Sequence, residues 1–440
     1  MWYPHNPVVL IFGTLDTKFA EFRYVQSQIF KHGSGYVNVL LADVSRQPTD
    51  SPAIDIRQES IRRSHPQPIS QDELAQLPRG KLIEYLTTAM TCYVKDLHSN
   101  EMIHGIVSLG GSGGTSLAAT VMRDALPIGF PKLIVSTMAS GDISSFIGQA
   151  DITMMYSVVD VAGLNSILSS ILDNAAAAIC GMTQIYSKRC KMRKAAPRKR
   201  SKAVALSMFG VTTPAVQAAQ KYLESLGEGR YETFVFHATG AGGKAMERLI
   251  NEGQIDGVLD FTTTELADEL VGGVMAGGPD RLTAAASKGI PQIVSVGALD
   301  MLLLVQVNFG PPDTVPEIFK GRKFFEHNPN VTLMRTSADE NEQLGLQIGQ
   351  KLLEHSKHQN LVQVWLPTGG VSILSGTDGE FYDADADGAL FRAVEKQLAN
   401  SRIKVINLPN NINEEEFAIG ATKALLELMD GEMKSHDGRQ

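Results

Sequence analysis

A run of glycines is the part of this sequence best suited to bind an anion. It follows the apolar segment Ile103–Leu109, which reads as a buried strand, and its residues are Gly110, Gly111, Ser112, Gly113, Gly114 and Thr115. Glycine lets a ligand approach the main chain closely, and a helix that starts after a strand points free N–H groups and its positive end at one place. The segment predicts a phosphate-binding loop, with a tight structural crossover as the alternative.

Other polar residues that follow predicted strands are expected to lie beside these glycines. In a doubly wound sheet, ligands bind outside the carboxyl ends of the strands, where such segments meet. Lys18 would neutralise phosphate charge, and Asp43 stands where dinucleotide folds place a ribose-binding carboxylate. The structural alternatives are a solvated lysine and a helix cap at Asp16. The candidate nucleotide-binding residues here are Gly13, Thr14, Asp16, Thr17, Lys18, Asp43, Ser136, Thr137, Ser140 and Gly141.

Two common nucleotide-binding motifs are not matched. The dinucleotide fingerprint G-x-G-x-x-G is missing after the first predicted strand, where Gly13 stands alone. The Walker loop G-x-x-x-x-G-K-[S/T] is not formed by residues 237–245, because its first glycine and final hydroxyl are missing. The sequence therefore argues against a dehydrogenase and against an ordinary P-loop ATPase.

Histidines and acids follow several predicted strands of the second half. His237 and His327 could serve as general acid/base groups or as ligands of a divalent metal, with Glu265 and Asp300 as carboxylate partners. A structural hydrogen-bonding role is the alternative for each histidine. The pattern predicts a second pocket for a small polar molecule, with His237, Glu265 and His327 as candidate catalytic residues.

The elements that must position these residues alternate between strand and helix patterns. Short β-branched runs such as Val8–Phe12 alternate with amphipathic helices up to about Ser187, and the alternation restarts at Ala203. This order predicts an α/β protein of two doubly wound, Rossmann-like domains with mostly parallel sheets. The expected boundaries are residues 1–187, a basic linker at 188–202, and residues 203–440.

Composition narrows the class of protein further. The chain has 440 residues, of which 43% are hydrophobic and 20% charged, as in ordinary globular proteins. A net charge of −8 argues against general nucleic-acid binding, and no apolar run approaches the roughly 20 residues of a membrane span. The three cysteines lack metal-ligand spacing, which fits a reducing compartment. A cytoplasmic protein is expected.

The motifs together resemble those of the Tm-one-like ATP-binding protein family. The similar stretches occur in order along nearly the whole chain, which makes the resemblance specific. They are residues 13–18, 108–115, 136–141, 157–160, 208–214, 235–240, 260–265 and 295–301. The resemblance implies an N-terminal ATP-binding domain, a family-specific C-terminal α/β domain, and a homodimer.

One segment departs from the family pattern. That pattern runs from Ala298–Met301 almost directly into residues 307–310, whereas here Leu302–Gln306 intervene. The extra residues are expected either to extend a strand or to displace the loop that carries Asp300 and Asn308.

Three functions follow from these observations. The first is a nucleotide-binding protein that holds ATP, with Mg²⁺, in its N-terminal loops and a second polar molecule in its C-terminal domain. The second is an ATP-dependent or metal-assisted hydrolase or ligase that uses the His237, Glu265 and His327 set. The third is a module whose nucleotide state controls binding of a protein partner.

Overall fold

The computed structural model describes residues 6–33, 35–195, 201–305, 319–328 and 331–437. The chain divides into two compact units, Met1–Lys199 and Arg200–Gln440. This division falls inside the predicted basic linker, whose first residues continue the helix Ser166–Ala195 and whose residues 196–200 lie outside the described residues.

The first unit is built on a five-stranded sheet. Its strands are β1 (Val8–Gly13), β2 (Asn38–Asp43), β3 (Gly105–Gly110), β4 (Lys132–Ser136) and β5 (Thr153–Tyr156). The strands are parallel and lie in the order β2-β1-β3-β4-β5. The chain adds β2 on one side of β1 and β3 to β5 on the other, so the order reverses between β1 and β3. Such a reversal opens a crevice at the carboxyl ends of those two strands.

Seven helices connect these strands among the described residues. They are α1 (Leu15–His32), α2 (Gln58–Arg63), α3 (Gln71–Gln76), α4 (Arg79–Ser99), α5 (Ser112–Ala125), α6 (Ser144–Ile147) and α7 (Ser166–Ala195).

Both faces of the first sheet are buried. Along β1, Leu10 and Phe12 join one core with α4 and α5, while Val9 and Ile11 join the other with α1 and α7. Burial on both faces explains why β1 reads as a continuous apolar run rather than an alternating one.

Helix α7 is the one described helix long and apolar enough to cross a membrane, with a mean hydropathy of 1.2 over its best window. Its buried residues include Leu168, Leu172 and Ile179, which pack in the core beside β1 and β3. One face of α7 therefore packs in the core of the first unit.

The second unit contains a six-stranded sheet. Its strands are β6 (Lys202–Met208), β7 (Tyr231–His237), β8 (Gly257–Thr262), β9 (Gln292–Gly297), β13 (Val362–Pro367) and β14 (Lys404–Leu408). They are parallel, in the order β14-β13-β9-β8-β6-β7. Helices in this unit are α8 (Thr213–Ser225), α9 (Ala241–Asn251), α10 (Glu265–Val271), α11 (Ala284–Lys288), α12 (Ala338–His355), α13 (Ala384–Leu398) and α14 (Glu415–Asp437).

A small antiparallel sheet was not predicted. It consists of β10 (Met301–Val305), β11 (Phe324–Asn328) and β12 (Val331–Arg335), in the order β10-β12-β11. The extra residues Leu302–Val305 therefore extend a strand that pairs with β12, whereas Gln306 and Asn308 lie outside the described residues. The predicted α/β class with two doubly wound, mostly parallel sheets is confirmed.

Candidate functional site

A cavity of about 500 Å³ lies at the carboxyl ends of β1 and β3, where the strand order reverses. Eight of the predicted nucleotide-binding residues line it, from the loops that follow these two strands. They are Thr14, Asp16, Thr17, Lys18, Gly111, Ser112, Gly113 and Gly114. Seven more lining residues were not predicted: Arg46, Arg79, Leu82, Ile83, Leu86, Leu117 and Asp160.

The amino end of α5 faces this cavity without a side-chain cap. Gly111 precedes the helix and has no side chain that could accept a hydrogen bond. Within the described residues, the N–H groups of Ser112, Gly113 and Gly114 have no acceptor, while Thr115 N donates to Gly111 O at 2.9 Å. Free N–H groups at the positive end of a 14-residue helix form an anion-binding surface.

Arg79 contributes a positive charge next to these N–H groups. A Cβ added at Gly113 would lie 3.5 Å from Arg79 Nη2, so the guanidinium lies against the glycine turn. No acceptor for this guanidinium occurs in the part of the chain that the structure describes. A planar guanidinium is well suited to bind a phosphate through two hydrogen bonds.

The other two cations of the cavity are already hydrogen-bonded to the main chain. Arg46 Nη1 donates to Ala75 O at 2.6 Å and to Leu77 O at 2.9 Å. Lys18 Nζ donates to Val161 O. Arg46 therefore anchors the segment that leads to α4, and Lys18 uses one of its three ammonium donors on the Val161 carbonyl.

The helix α4 gives the cavity an apolar wall. Leu82, Ile83 and Leu86 follow Arg79 on one face of this helix, and Leu117 of α5 lies nearby. One wall thus suits a flat apolar group, while the glycine turn suits an anion. A nucleotide combines these two features.

Gly13 does not line the cavity and is needed for packing. A Cβ at this position would lie 2.0 Å from Cζ of Phe22, whose buried ring packs α1 against the end of β1. Gly110 also lies outside the lining, and a Cβ there would lie 3.4 Å from Cα of Gly114.

Asp43 also lies outside the cavity lining. Its Oδ1 accepts from Ser45 N and from Ser45 Oγ, and its Oδ2 accepts from Thr49 N at 2.8 Å. Burial raises the pKa of Asp43 above its ordinary range. This carboxylate organises the turn after β2.

The residues that follow β4 support the glycine turn from behind. Thr115 Oγ1 lies 2.6 Å from Ser136 Oγ, and both side chains are buried. Thr137 and Ser140 form a single turn of 3-10 helix that ends before Gly141. None of these five residues is among those that line the cavity.

In the second unit, Glu265 is buried in a charge network. Its Oε1 accepts from Gly240 N at 2.6 Å and Gly243 N at 3.0 Å, and its Oε2 accepts from Arg281 Nε at 2.6 Å. The carboxylate thus occupies the amino end of α9, where an anionic ligand would otherwise bind. This occupation supports a structural role for Glu265.

The two candidate histidines lie on different sheets. His237 ends β7, is exposed, and has its ring 5.4 Å from that of Phe209. His327 is an exposed residue of β11. Among the described residues, no hydrogen bond or ion pair joins His327 to His237 or Glu265, and no group of three His, Cys, Asp or Glu side chains could hold a metal ion.

Asp300 lies in a buried polar cluster beside the small sheet. Ser372 Oγ donates to its Oδ2 at 2.7 Å, whereas its Oδ1 has no hydrogen-bond partner among the residues that the structure describes. Burial raises the pKa of Asp300 to about 6, against the opposing effect of Arg335. Arg335 donates to Asp387 Oδ1 at 2.6 Å, and burial raises the pKa of Asp387 to about 7.

A second cavity in the first unit, of about 920 Å³, is lined by His98, Tyr186, Cys190 and Lys191, among others. It lies beside the last turns of α4 and α7. Helix carboxyl ends carry partial negative charge, so this cavity suits an anion less well than the cavity at β1 and β3.

Two family models match the chain. The N-terminal domain of the uncharacterised protein family UPF0261 matches residues 7–188, and its C-terminal domain matches residues 201–429. A UPF0261 protein of Clostridium tetani is 44% identical over 425 residues, which cover 97% of this chain and 100% of that protein.

A plant relative is longer. The ToMV resistance protein Tm-1(GCR237) of Solanum lycopersicum is 40% identical over 438 residues, which cover 96% of this chain and 56% of the tomato protein. Among solved structures, MurG of Acinetobacter baumannii aligns at 10% identity with a TM-score of 0.20, over 98% of this chain and 99% of the MurG chain.

Proposed function

The chain belongs to the uncharacterised protein family UPF0261, and we propose that it is an ATP-binding protein whose nucleotide lies at the carboxyl ends of β1 and β3. The observation that carries this proposal is the uncapped amino end of α5 beside the Arg79 guanidinium. Three N–H groups and a guanidinium in one crevice suit the phosphates of a nucleotide. The wall formed by Leu82, Ile83 and Leu86 suits its base.

The cavity also contains acidic side chains that bear on the form of the ligand. It is lined by three cations, Lys18, Arg46 and Arg79, and by two carboxylates, Asp16 and Asp160. Mg²⁺ usually binds through one or two carboxylates together with phosphate oxygens. The proposed ligand is therefore ATP with Mg²⁺, which would reduce repulsion between the phosphates and the two aspartates.

Gly113→Val is expected to abolish ATP binding and to leave the fold intact. The added side chain would fill the space between the α5 amino end and Arg79, whereas a Cβ at this position meets only the ends of the flexible Arg79 and Ile83 side chains, both at 3.5 Å. Titration calorimetry with ATP and Mg²⁺ measures binding, and urea unfolding checks the fold. NAD serves as the comparison ligand.

Gly181→Val in α7 is the matched control, because a Cβ at Gly181 meets no atom of the described residues within 4 Å. Arg79→Gln should weaken ATP binding by roughly ten- to a hundredfold, the usual effect of losing a charged hydrogen bond. Wild-type binding by Gly113→Val would contradict the proposal. So would an absence of heat with both ATP and NAD.

We also propose that the protein works as a cytoplasmic homodimer, as the family resemblance implies. Exposed apolar side chains in the first unit, including Tyr156 and Ile167, are compatible with a subunit contact. Sedimentation equilibrium at several protein concentrations, with and without ATP, tests this. A monomer under all conditions would contradict it.

A further inference from the structure

A strained turn follows β5 and leads into the proposed nucleotide cavity. Val158 has φ of +62°, and Val159 N donates to Ser157 O at 2.6 Å across it. A β-branched residue is rarely found in this left-handed region, because its side chain crowds the backbone. The side chain of Val158 is 57% exposed, so burial of this residue does not compensate for the strain.

The residues after this turn contact the cavity and are tied to α1. Asp160 lines the cavity. Lys18 Nζ donates to Val161 O, and the buried Glu21 accepts from Gly163 N through Oε1 at 2.5 Å. We call residues 157–163 the clasp segment, because these two side chains of α1 hold it.

Lys18 itself lies at a break in α1. Its backbone has φ of −135° and ψ of 29°, which interrupts the helix after its first turn. The ammonium group that holds the clasp segment is also one of the three cations of the cavity. The same ammonium group therefore faces two acceptors, the carbonyl oxygen of Val161 and an incoming phosphate.

We propose that the clasp segment responds to nucleotide binding, a proposal that rests on the ATP site described above. A phosphate is a stronger acceptor for an ammonium group than a neutral carbonyl, so ATP would draw Lys18 away from Val161 O. The segment then loses its tie to Lys18 but keeps its bond to Glu21, the 3.2 Å bond from Ser157 N to Ser136 O and the buried Val161 side chain. Loss of the Lys18 tie lets Val158 leave the left-handed region. Release of strain adds to nucleotide affinity, and the change of shape reaches exposed residues such as Val158 and Leu164.

Hydrogen exchange of the full-length protein, followed by mass spectrometry, tests the proposal. In the wild type, ATP with Mg²⁺ should speed exchange in peptides covering residues 157–165 by threefold or more. Lys18→Met should show the faster exchange without ATP, because it removes the same tie. Lys31→Met, at the other end of α1, is the control and should behave as the wild type.

Val158→Gly gives an independent measurement. Glycine adopts positive φ without strain, so this variant gains nothing from release of the turn and should bind ATP at least fivefold more weakly. Unchanged or tighter binding would overturn the proposal. Unchanged exchange when the wild type binds ATP would also overturn it.

The two proposals fail in different ways. If calorimetry detects no ATP binding, the proposed function is wrong, but the Lys18→Met comparison still decides whether Lys18 holds the clasp segment. Faster exchange in this variant supports the tie, and exchange equal to the wild type contradicts it.

Discussion

At the scale of single residues, two carboxylates that look functional in the sequence are occupied by main-chain donors, and some residues that line the cavity were not predicted. Asp43 accepts hydrogen bonds from the main-chain N–H groups of the turn after β2. Glu265 accepts hydrogen bonds from the main-chain N–H groups at the amino end of α9. Arg79, by contrast, lies against the glycine turn although it is 34 residues from Gly113 in the sequence. A charged residue at the start of a helix gives no local sign of such a role.

Asp300 provides a test of pH dependence at this scale. Its pKa is raised from 3.8 to about 6 by burial, so the folded protein binds a proton that the unfolded chain has lost between these pH values. The contribution of Asp300 to the free energy of unfolding should therefore fall as pH rises from 4 to 6. Asp300→Asn removes this titration, and the slope should become less negative by up to about 1.4 kcal/mol per pH unit.

Urea unfolding at several pH values checks this expectation. Asp378→Asn is the comparison variant, since Asp378 is an exposed carboxylate of the same unit. Equal slopes for the wild type and Asp300→Asn would show that Asp300 does not bind a proton in the folded state over this range.

At the scale of elements, the strands buried on both faces could be predicted, whereas the edge strand β5 and the small antiparallel sheet were not. Val8–Phe12 is apolar throughout because β1 contacts a core on each side. The exposed edge strand β5 lacks such a pattern, and the small sheet depends on pairing between β10 and β12. Helix α10 ends at Val271, because Gly272 has φ of +88° and caps it.

The candidate site could likewise be predicted only in part. The loops after β1 and β3 could be placed together because parallel strands end at one edge of the sheet. The cavity wall could not, because α4 follows two short helices whose packing the sequence does not reveal. The role of Gly13 likewise depends on Phe22, nine residues later.

Arg281 joins three elements of the second unit. Its guanidinium is fully buried and binds Asp260 of β8 through two bonds of 2.6 Å, Glu265 of α10 at 2.6 Å, and Glu247 of α9 at 3.4 Å. Arg281→Met should destabilise this unit by about 3–5 kcal/mol or more, because three carboxylates would lose their counter-charge. Arg281→Lys should lie between this variant and the wild type, because lysine keeps the charge and loses the two-bond contact.

Urea unfolding measures these differences. Lys202→Met removes a more exposed ion pair with Asp430 and should cost about 1 kcal/mol or less. An effect of Arg281→Met no larger than that of Lys202→Met would contradict a supporting role for the network.

At the scale of the whole molecule, the two compact units should unfold in separate thermal transitions, of which ATP shifts one. A ligand that binds only the folded first unit stabilises it by about 2.7 kcal/mol at a concentration of 100 times Kd. Scanning calorimetry with and without ATP measures this. Gly13→Ala identifies the transition of the first unit, because its Cβ would clash with Phe22 and lower that Tm. An equal shift of both transitions would contradict an ATP site confined to the first unit.

The carboxylate of Glu265 at the amino end of α9 also bears on binding stoichiometry. Each unit contains a glycine-containing turn between a strand and a helix, but in the second unit a side chain of the protein already supplies the negative charge. A free anion would have to displace a buried group that is also bonded to Arg281. The repeated architecture therefore does not double the number of nucleotides bound, and one ATP per chain is the ratio to expect.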